Sequence, residues 1–294
     1  QCKAGMDIRA LLMGLTFALI WSSAFTSARI IVADASPLAS LALRFFISGL
    51  SGVAIARMMG QTWRLTKDQW RATIIFGLCQ NAIYLGLNFY AMQTVEASLA
   101  SIIASLMPLL VAVAGWIVFR DRLSPLGIIG LILGIGGVVL IMSARMEAGV
   151  DMYGVALCVV GTLALTVATL SMRTMSAGGN LMMVVGLQMF VGAIVLAAAS
   201  AVTETIRVDL TPELIVAFAY TTLAPGLLAT WIWFALGARI GATKAATFHF
   251  LNPFFGVLTA AVLLGERLGL KDAIGVAIIA AGILAVQLSR AKKT

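Results

Sequence analysis

Residues 106–137 read LMPLLVAVAGWIVFRDRLSPLGIIGLILGIGG, and residues 251–282 read LNPFFGVLTAAVLLGERLGLKDAIGVAIIAAG. The two stretches align without gaps at a constant offset of 145 residues, close to half of the 294-residue chain. The matched positions are Pro108 with Pro253, Asp121 with Glu266, Arg122 with Arg267, Gly130 with Gly275 and Gly137 with Gly282. This internal repeat predicts two homologous halves, which we place at residues 6–147 and 148–294. Residues 1–5 precede Met6 and are expected to be a cloning remnant.

The composition predicts an integral membrane protein. Hydrophobic residues make up 61% of the chain and charged residues 11%, with a mean hydropathy of +1.04, whereas soluble domains carry about 25% charged residues. A spanning helix needs about 20 apolar residues, so ten spans would use nearly the whole chain. The net charge of +8 comes from Lys and Arg scattered between apolar runs, which is typical of topology control and not of a nucleic-acid surface.

Charged residues and Pro/Gly breaks divide the chain into ten predicted transmembrane helices, an all-α fold. Each half then holds five spans, an odd number, so the second half is predicted to be inverted relative to the first. Inverted repeats commonly enclose a substrate site at their interface. The predicted spans are residues 7–32, 36–57, 70–92, 96–119, 125–143, 152–174, 180–203, 212–236, 242–264 and 270–289.

The basic residues predict the orientation of the chain. One alternating set of connectors holds 14 Lys and Arg residues, the other holds 5, and only Arg44 lies deep within a span. Cytoplasmic loops carry the excess of Lys and Arg. Both termini are therefore expected on the cytoplasmic side.

Four motifs carry a family resemblance: WSSAF at 21–25, PLASLALRF at 37–45, GLNFYAMQTVEASLASIIASLMPLL at 86–110, and GATKAATFHFLNPFFGVLTAAVLLGERL at 241–268. With these the chain resembles the ten-helix EamA-type branch of the drug/metabolite transporter superfamily, and most of all the bacterial aromatic amino acid exporters. The resemblance implies the bacterial inner membrane and a basket of helices one to four and six to nine around a central cavity. The fifth and tenth helices would pack outside that basket.

Ionisable residues are scarce in the predicted membrane interior. All twelve acidic residues fall in connectors or at helix ends, which argues against a proton antiporter that depends on a buried carboxylate. Arg44 and His249 alone reach deep into the hydrocarbon. We interpret each as a candidate substrate group, with a structural hydrogen bond between helices as the alternative.

Further polar and aromatic residues are candidates for a cavity lining. Gln80, Asn81, Tyr84 and Asn88 recur at spacings that place them on one face of the third span. For the single hydroxyls, a contact between helices is the alternative to substrate binding. The complete predicted substrate-binding set is Trp21, Ser22, Thr26, Arg44, Gln80, Asn81, Tyr84, Asn88, Ser101, Thr166, Gln188, Trp231 and His249.

Pro108 and Pro253 lie near the middle of the fourth and ninth spans. A proline inside a helix removes one hydrogen bond and bends the helix, so we predict that both spans act as pseudo-symmetric gates. A static kink is the alternative.

The sequence predicts a facilitative secondary transporter that exports small zwitterionic metabolites, with aromatic amino acids as the first choice. Alternatives are a transporter of nucleosides, cationic drugs or other amino acids, and a membrane sensor or assembly subunit without transport. The chain lacks the HExxH, GxSxG and P-loop signatures, so we expect no enzyme activity, no ATP, no metal and no cofactor. The expected partners are a small-molecule substrate and the lipid bilayer.

Overall fold

The computed structural model describes residues 8–120, 124–171, 179–240 and 242–291, and over these ranges the chain folds into ten helices, nine of which are long and apolar enough to cross a membrane. Their bounds lie within a few residues of the predicted spans. The first seven are α1 Ile8–Asp34, α2 Pro37–Met58, α3 Lys67–Ala91, α4 Ala97–Phe119, α5 Pro125–Glu147, α6 Met152–Ser171 and α7 Leu181–Thr203. Helix α8 has three successive segments, Pro212–Leu223, Ala224–Leu228 and Ala229–Ile240. Helix α9 also has three, Ala242–Thr247, Phe248–Leu251 and Asn252–Leu264, and α10 is Leu270–Ala291.

Local sequence accounts for several helix starts. Proline occupies the first turn of α2, α5 and α8, where its missing N–H costs no helical hydrogen bond. Thr66 begins α3 with a capping box, in which its hydroxyl accepts from the N–H of Gln69 and the Gln69 side chain accepts from the N–H of Thr66. Large apolar side chains such as Ile117, Ile132 and Val262 are exposed on the outer surface. These faces suit contact with lipid tails.

The contact between α5 and α10 displays the inverted repeat. A Cβ on Gly130 would lie 2.6 Å from the carbonyl oxygen of Gly282, and one on Gly137 would lie 2.9 Å from that of Gly275. The offset of 145 residues converts Gly130 into Gly275 and Gly137 into Gly282, so the two contacts exchange when the halves are exchanged. Such an exchange is what a two-fold axis between two antiparallel helices requires. Glycine allows these backbones to approach closely.

Four of the helices are irregular near mid-membrane, and the irregular segments also occur in pairs. The π-helical segment Gly77–Leu85 interrupts α3, and Ala224–Leu228 interrupts α8 at nearly the equivalent position. In α4 the first helical segment ends before Ser105, and in α9 a 3-10 segment separates Ala242–Thr247 from Asn252–Leu264. Segments of this kind mark functional sites, and backbone irregularity is tolerated in a membrane only inside the protein or beside a cavity.

The two ends of the bundle differ in charge. Nine of the ten described acidic residues lie at one end, which we call the acidic rim: Asp34, Glu96, Glu147, Asp151, Glu204, Asp209, Glu213, Glu266 and Asp272. The opposite end, the basic rim, holds Arg9, Arg57, Arg64, Lys67, Arg71, Arg120 and Arg239. The described acidic residues therefore lie at helix ends or in connectors, as predicted.

Candidate substrate cavity

A cavity of about 370 Å³ lies at the centre of the bundle. Side chains from α1 to α4 and from α6 to α9 line it, whereas α5 and α10 contribute none, as the resemblance implied. Ligand pockets for small molecules span about 300–1,000 Å³. The cavity is large enough for one small metabolite.

The polar side chains of α3 face this cavity. Gln80, Asn81, Tyr84 and Asn88 all line it, although the π turns alter the helix there. The side-chain amide of Asn81 donates to the carbonyl oxygen of Gln188 at 3.0 Å, and that of Asn88 donates to the carbonyl oxygen of Tyr84 at 2.8 Å. The Oδ1 atom of Asn88 is buried without a hydrogen-bond partner. One amide oxygen is therefore left for a ligand or a water molecule.

Arg44 supplies the positive charge of the cavity. It is 7% exposed, and its guanidinium carbon lies 5.2 Å from the ring centre of Phe45. Its Nε is buried without a hydrogen-bond partner, and no described carboxylate forms an ion pair with it. A charged group in the membrane interior is costly unless water or a partner stabilises it. In this cavity a ligand can act as that partner.

An aromatic cluster forms the part of the cavity towards the basic rim. The ring of Phe17 lies 5.8 Å from that of Trp21 and 4.9 Å from that of Trp233, and the Trp233 ring lies 5.2 Å from the ring of His249. Aromatic pairs at these distances attract each other beyond the gain from buried area. The cluster joins α1, α8 and α9, and all four of its rings belong to residues that line the cavity.

A second, smaller pocket of about 10 Å³ adjoins the cavity between α1, α4 and α9, with room for about one water molecule. Three buried oxygens around it lack partners: Oγ of Ser22, Oγ of Ser101 and Oδ1 of Asn252. The Nδ2 of Asn252 donates to Nδ1 of His249 at 2.9 Å, so the ring hydrogen of His249 lies on Nε2. Pro108 also lines this pocket.

The structure separates the predicted substrate-binding residues into groups. Those that line the main cavity are Trp21, Arg44, Gln80, Asn81, Tyr84, Asn88, Gln188 and His249. Ser22 and Ser101 line the smaller pocket. Thr26 and Thr166 line neither: the Thr26 hydroxyl donates to that of Thr259 at 3.0 Å, and that of Thr166 donates to the carbonyl oxygen of Thr162. The Thr26 bond joins α1 to α9, whereas the Thr166 bond lies within α6. The Trp231 side chain lies outside the described residues.

Several lining residues were not among the candidates. Phe17, Phe25, Phe45, Phe89 and Trp233 face the cavity, and in sequence they look like any apolar residues of a membrane helix. The polar stripe on α3 is the only sequence signal that marks the inward side of a helix, and it does not identify the inward apolar faces of the other helices.

The acidic rim is closed by two carboxylates that cap helices of the other half. Glu204 accepts from the backbone N–H groups of Leu38 and Ala39 at 2.9 and 3.0 Å, at the start of α2. Glu266 accepts from those of Ala97 and Ser98 at 2.8 and 3.1 Å, at the start of α4. A carboxylate at a helix N-terminus pairs with unsatisfied N–H groups and with the helix dipole. Each cap ties residues of the second half to the first.

Further bonds tie the same rim. Arg145 on α5 forms ion pairs with Glu96 and with Asp272 on α10, the latter at 3.2 Å. The Thr94 hydroxyl donates to Asp151 at 2.6 Å. The cavity lining runs from Leu181, the first residue of α7 at the basic rim, to Met92, directly after α3 at the acidic rim.

A chamber between two inverted halves of a ten-helix bundle is the architecture of a secondary membrane transporter. The sequence profile of the EamA-like transporter family matches the chain twice, at residues 8–143 and at residues 152–288. The chain therefore belongs to the EamA-like transporter family, whose members are transporters of the drug/metabolite superfamily.

Similar proteins cover the chain from end to end. "Uncharacterized transporter YvbV" of Bacillus subtilis is 25% identical, over 94% of this chain and 90% of its own length. "Uncharacterized inner membrane transporter YedA" of Escherichia coli K12 is 24% identical, over 95% of this chain and 91% of its own length. A solved structure, titled only "Crystal structure of protein", superposes with a TM-score of 0.71 at 22% identity. It covers 98% of this chain and 99% of its own, and supports the fold.

Proposed function

We propose that this transporter exports small zwitterionic metabolites, aromatic amino acids first among them, across the bacterial inner membrane by facilitated diffusion. The observation that carries the proposal is the composition of the cavity, which combines aromatic walls, amide groups and one guanidinium. Ring faces can stack on an aromatic substrate. The amides and Arg44 can bind its polar end.

The proposed cycle follows from the inverted repeat. The halves, residues 6–147 and 148–294, would rock about the cavity and expose it to each side in turn. The charged helix caps support one end of this cycle, in which the acidic rim is closed. We place the basic rim and both termini in the cytoplasm, because Lys and Arg are retained on that side.

No carboxylate lies among the described residues that line the cavity, which supports facilitated transport. A proton-driven exporter needs a group that binds and releases a proton within the cycle. We therefore expect a pH gradient to change the rate without driving accumulation above equilibrium. Uphill accumulation of substrate driven by a pH gradient would overturn this part of the proposal.

The decisive experiment is substrate counterflow in proteoliposomes. Vesicles loaded with unlabelled phenylalanine or tryptophan should take up the labelled amino acid in a saturable burst. Gln80→Ala and Trp21→Ala should weaken the burst, whereas Glu213→Ala, at the exposed end of α8, should leave it unchanged. If protein-free vesicles match the wild type for both amino acids, the substrate is wrong. If no metabolite of a wide panel shows counterflow, the protein is a non-transporting sensor or assembly subunit.

A further inference from the structure

The cavity holds a positive charge that the described part of the protein does not neutralise. Among the described residues that line it, Arg44 is the only lysine or arginine, and none is Asp or Glu. The carboxylate that caps α2 belongs to Glu204, which accepts from the backbone N–H groups of Leu38 and Ala39. These two residues lie about 8 to 9 Å from Arg44 along the helix axis, at a rise of about 1.5 Å per residue. Glu204 also accepts from the Ser200 hydroxyl at 2.7 Å. The Glu204 carboxylate therefore already accepts three hydrogen bonds and forms no ion pair with Arg44.

The other ionisable groups of the lining do not supply a negative charge. Tyr84 is 2% exposed, and its phenol lies among apolar neighbours, where it stays neutral. His249 accepts at Nδ1 from the Asn252 amide and carries its hydrogen on Nε2. The other polar side chains of the described lining are neutral: the amides, the Thr169 hydroxyl and the indole groups of Trp21 and Trp233. The amide oxygens can accept a hydrogen bond from an ammonium group without compensating its charge.

The environment of Arg44 is open on the side of the cavity. Within the described chain it contacts the Phe45 ring, and a Cβ built on Gly226 would lie 4.0 Å from one of its terminal nitrogens. A planar guanidinium with free N–H groups binds a carboxylate through two parallel hydrogen bonds. Partial burial strengthens that pairing relative to water.

We infer that the carboxylate is the part of the substrate that this cavity selects, and that the amino group is dispensable. This inference rests on the proposed transport function and narrows its substrate class to small monocarboxylates with an aromatic or apolar body, with or without an amino group. Cations are disfavoured, because Arg44 repels them. The rival is a cationic amphiphile held by the aromatic walls through cation–π contacts.

A panel of four compounds separates these two possibilities, because the compounds differ in which charges they carry. Phenylalanine carries both charges, 3-phenylpropionate only the carboxylate, and phenethylamine and phenylalaninamide only the ammonium. The readout is inhibition of phenylalanine counterflow, with protection of the purified protein against heat as an independent measure of binding. We expect 3-phenylpropionate to inhibit within about threefold of phenylalanine, and both amines to be weaker by about tenfold or more.

Variants of Arg44 test whether the guanidinium is the cause. Arg44→Gln should weaken both carboxylates about tenfold or more and leave the amines as weak as before or slightly stronger. Arg44→Lys keeps the charge but loses the planar pair of donors, so it should fall between the two. Arg207→Gln, which removes an exposed arginine from the acidic rim, is the matched control and should not alter selectivity.

The outcomes distinguish this inference from the proposed function. If both amines inhibit as well as 3-phenylpropionate, or if Arg44→Gln leaves the ranking of compounds intact, the charge selection is wrong although transport stands. If no aromatic compound shows counterflow, the heat-protection measurement is repeated with matched aliphatic acids and amines. Protection by acids alone then supports the inference without an aromatic substrate, and its absence from every acid overturns it.

Discussion

The same helix position is capped differently at the two ends of the molecule. At the acidic rim the N–H groups of Leu38 and Ala39 bind the Glu204 carboxylate at 2.9 and 3.0 Å. At the basic rim the equivalent residue of α7, Met183, 145 positions further on, donates to the neutral side-chain oxygen of Gln61 at 3.0 Å. A carboxylate forms stronger bonds to helix N–H groups than an amide does. The two halves share a fold but differ in the strength of these caps.

This difference bears on which state the transporter favours. Alternating access requires the contacts at one rim to break as those at the other form. At the start of α2 the cap is a carboxylate, whereas at the matched start of α7 it is a neutral amide, so among the described residues this pair of caps stabilises closure of the acidic rim more than closure of the basic rim. The described structure, closed at the acidic rim, agrees with this order of strengths.

The largest effect should come from removing both charged caps. Glu204→Ala together with Glu266→Ala breaks the four bonds from helix N–H groups and the bond from the Ser200 hydroxyl. Hydrogen bonds to charged groups contribute about 1.5–3 kcal/mol each. The acidic rim should then open more often. With the native cysteines replaced, a cysteine at Ala28, which lines the cavity, should react about tenfold faster with an impermeant maleimide added at the acidic rim.

Glu147→Ala is the control for this prediction. Glu147 lies at the same rim and pairs only with exposed Lys271, at 3.2 Å, a kind of pair that contributes little. The control variant should label like the wild type. An unchanged rate in the double variant would mean that the caps do not hold this rim closed.

A second, smaller effect on transport is expected from the proline kinks of α4 and α9, which we predict to act as hinges for the movement of the rims. In α4 and α9 the second helical segments start at Met107 and Asn252, each directly before a proline. Pro108→Ala and Pro253→Ala restore a backbone donor and favour a continuous helix. We expect each variant to bind substrate normally and to exchange it severalfold more slowly in counterflow. If both variants exchange at the wild-type rate, the kinks are static and the gating prediction fails.

The sequence was sufficient for the fold but not for the contacts at the rims. Hydropathy and the 145-residue repeat predict ten spans in two inverted halves, and the structure has this fold. The polar stripe on α3 was also correctly expected to face inwards, because lipid does not accept four polar side chains on one face. The π turns in Gly77–Leu85 could not be predicted, since they depend on packing against α6 and α7 and not on local propensity.

The caps were missed for a different reason. Glu204 and Glu266 lie in connectors, where an acidic residue in a sequence looks like an ordinary surface charge. Their partners are backbone N–H groups more than 160 residues away, and backbone groups leave no signature in a sequence. In the same way, nothing in the apolar pattern distinguishes Phe17, at the cavity, from Ile132, at the outer surface.

A third prediction strengthens the weaker cap instead of removing the stronger one. Gln61→Glu places a carboxylate at the start of α7, where it can accept from Met183 and interact with the helix dipole. Such an interaction contributes about 0.3–1 kcal/mol, so closure of the basic rim should become about two- to fivefold more frequent. A cysteine at Thr169, which lines the cavity near that rim, should label more slowly by the same factor.

Gln93→Glu is the control for charge alone, because Gln93 lies at the acidic rim and its side chain bonds the carbonyl oxygen of Tyr90 in its own turn. It should not slow labelling at Thr169. Faster labelling at that position in Gln61→Glu would contradict the assignment of Gln61 as a cap that holds the basic rim.

The smallest effect is expected from the exposed bond between Thr94 and Asp151. The Thr94 hydroxyl lowers the pKa of the Asp151 carboxyl, with help from the backbone N–H groups of Gly154 and Tyr153. A carboxyl whose pKa is lowered by folding stabilises the protein above its unfolded pKa, about 3.9, and this contribution is lost as the pH falls through the folded value. Thr94→Val should therefore lower the melting temperature by a small, constant amount between pH 5 and 7, and the difference from the wild type should shrink only below about pH 4. A difference that changes between pH 5 and 7 would show that this bond senses pH near neutrality, and the acidic rim would then respond to protons as well as to substrate.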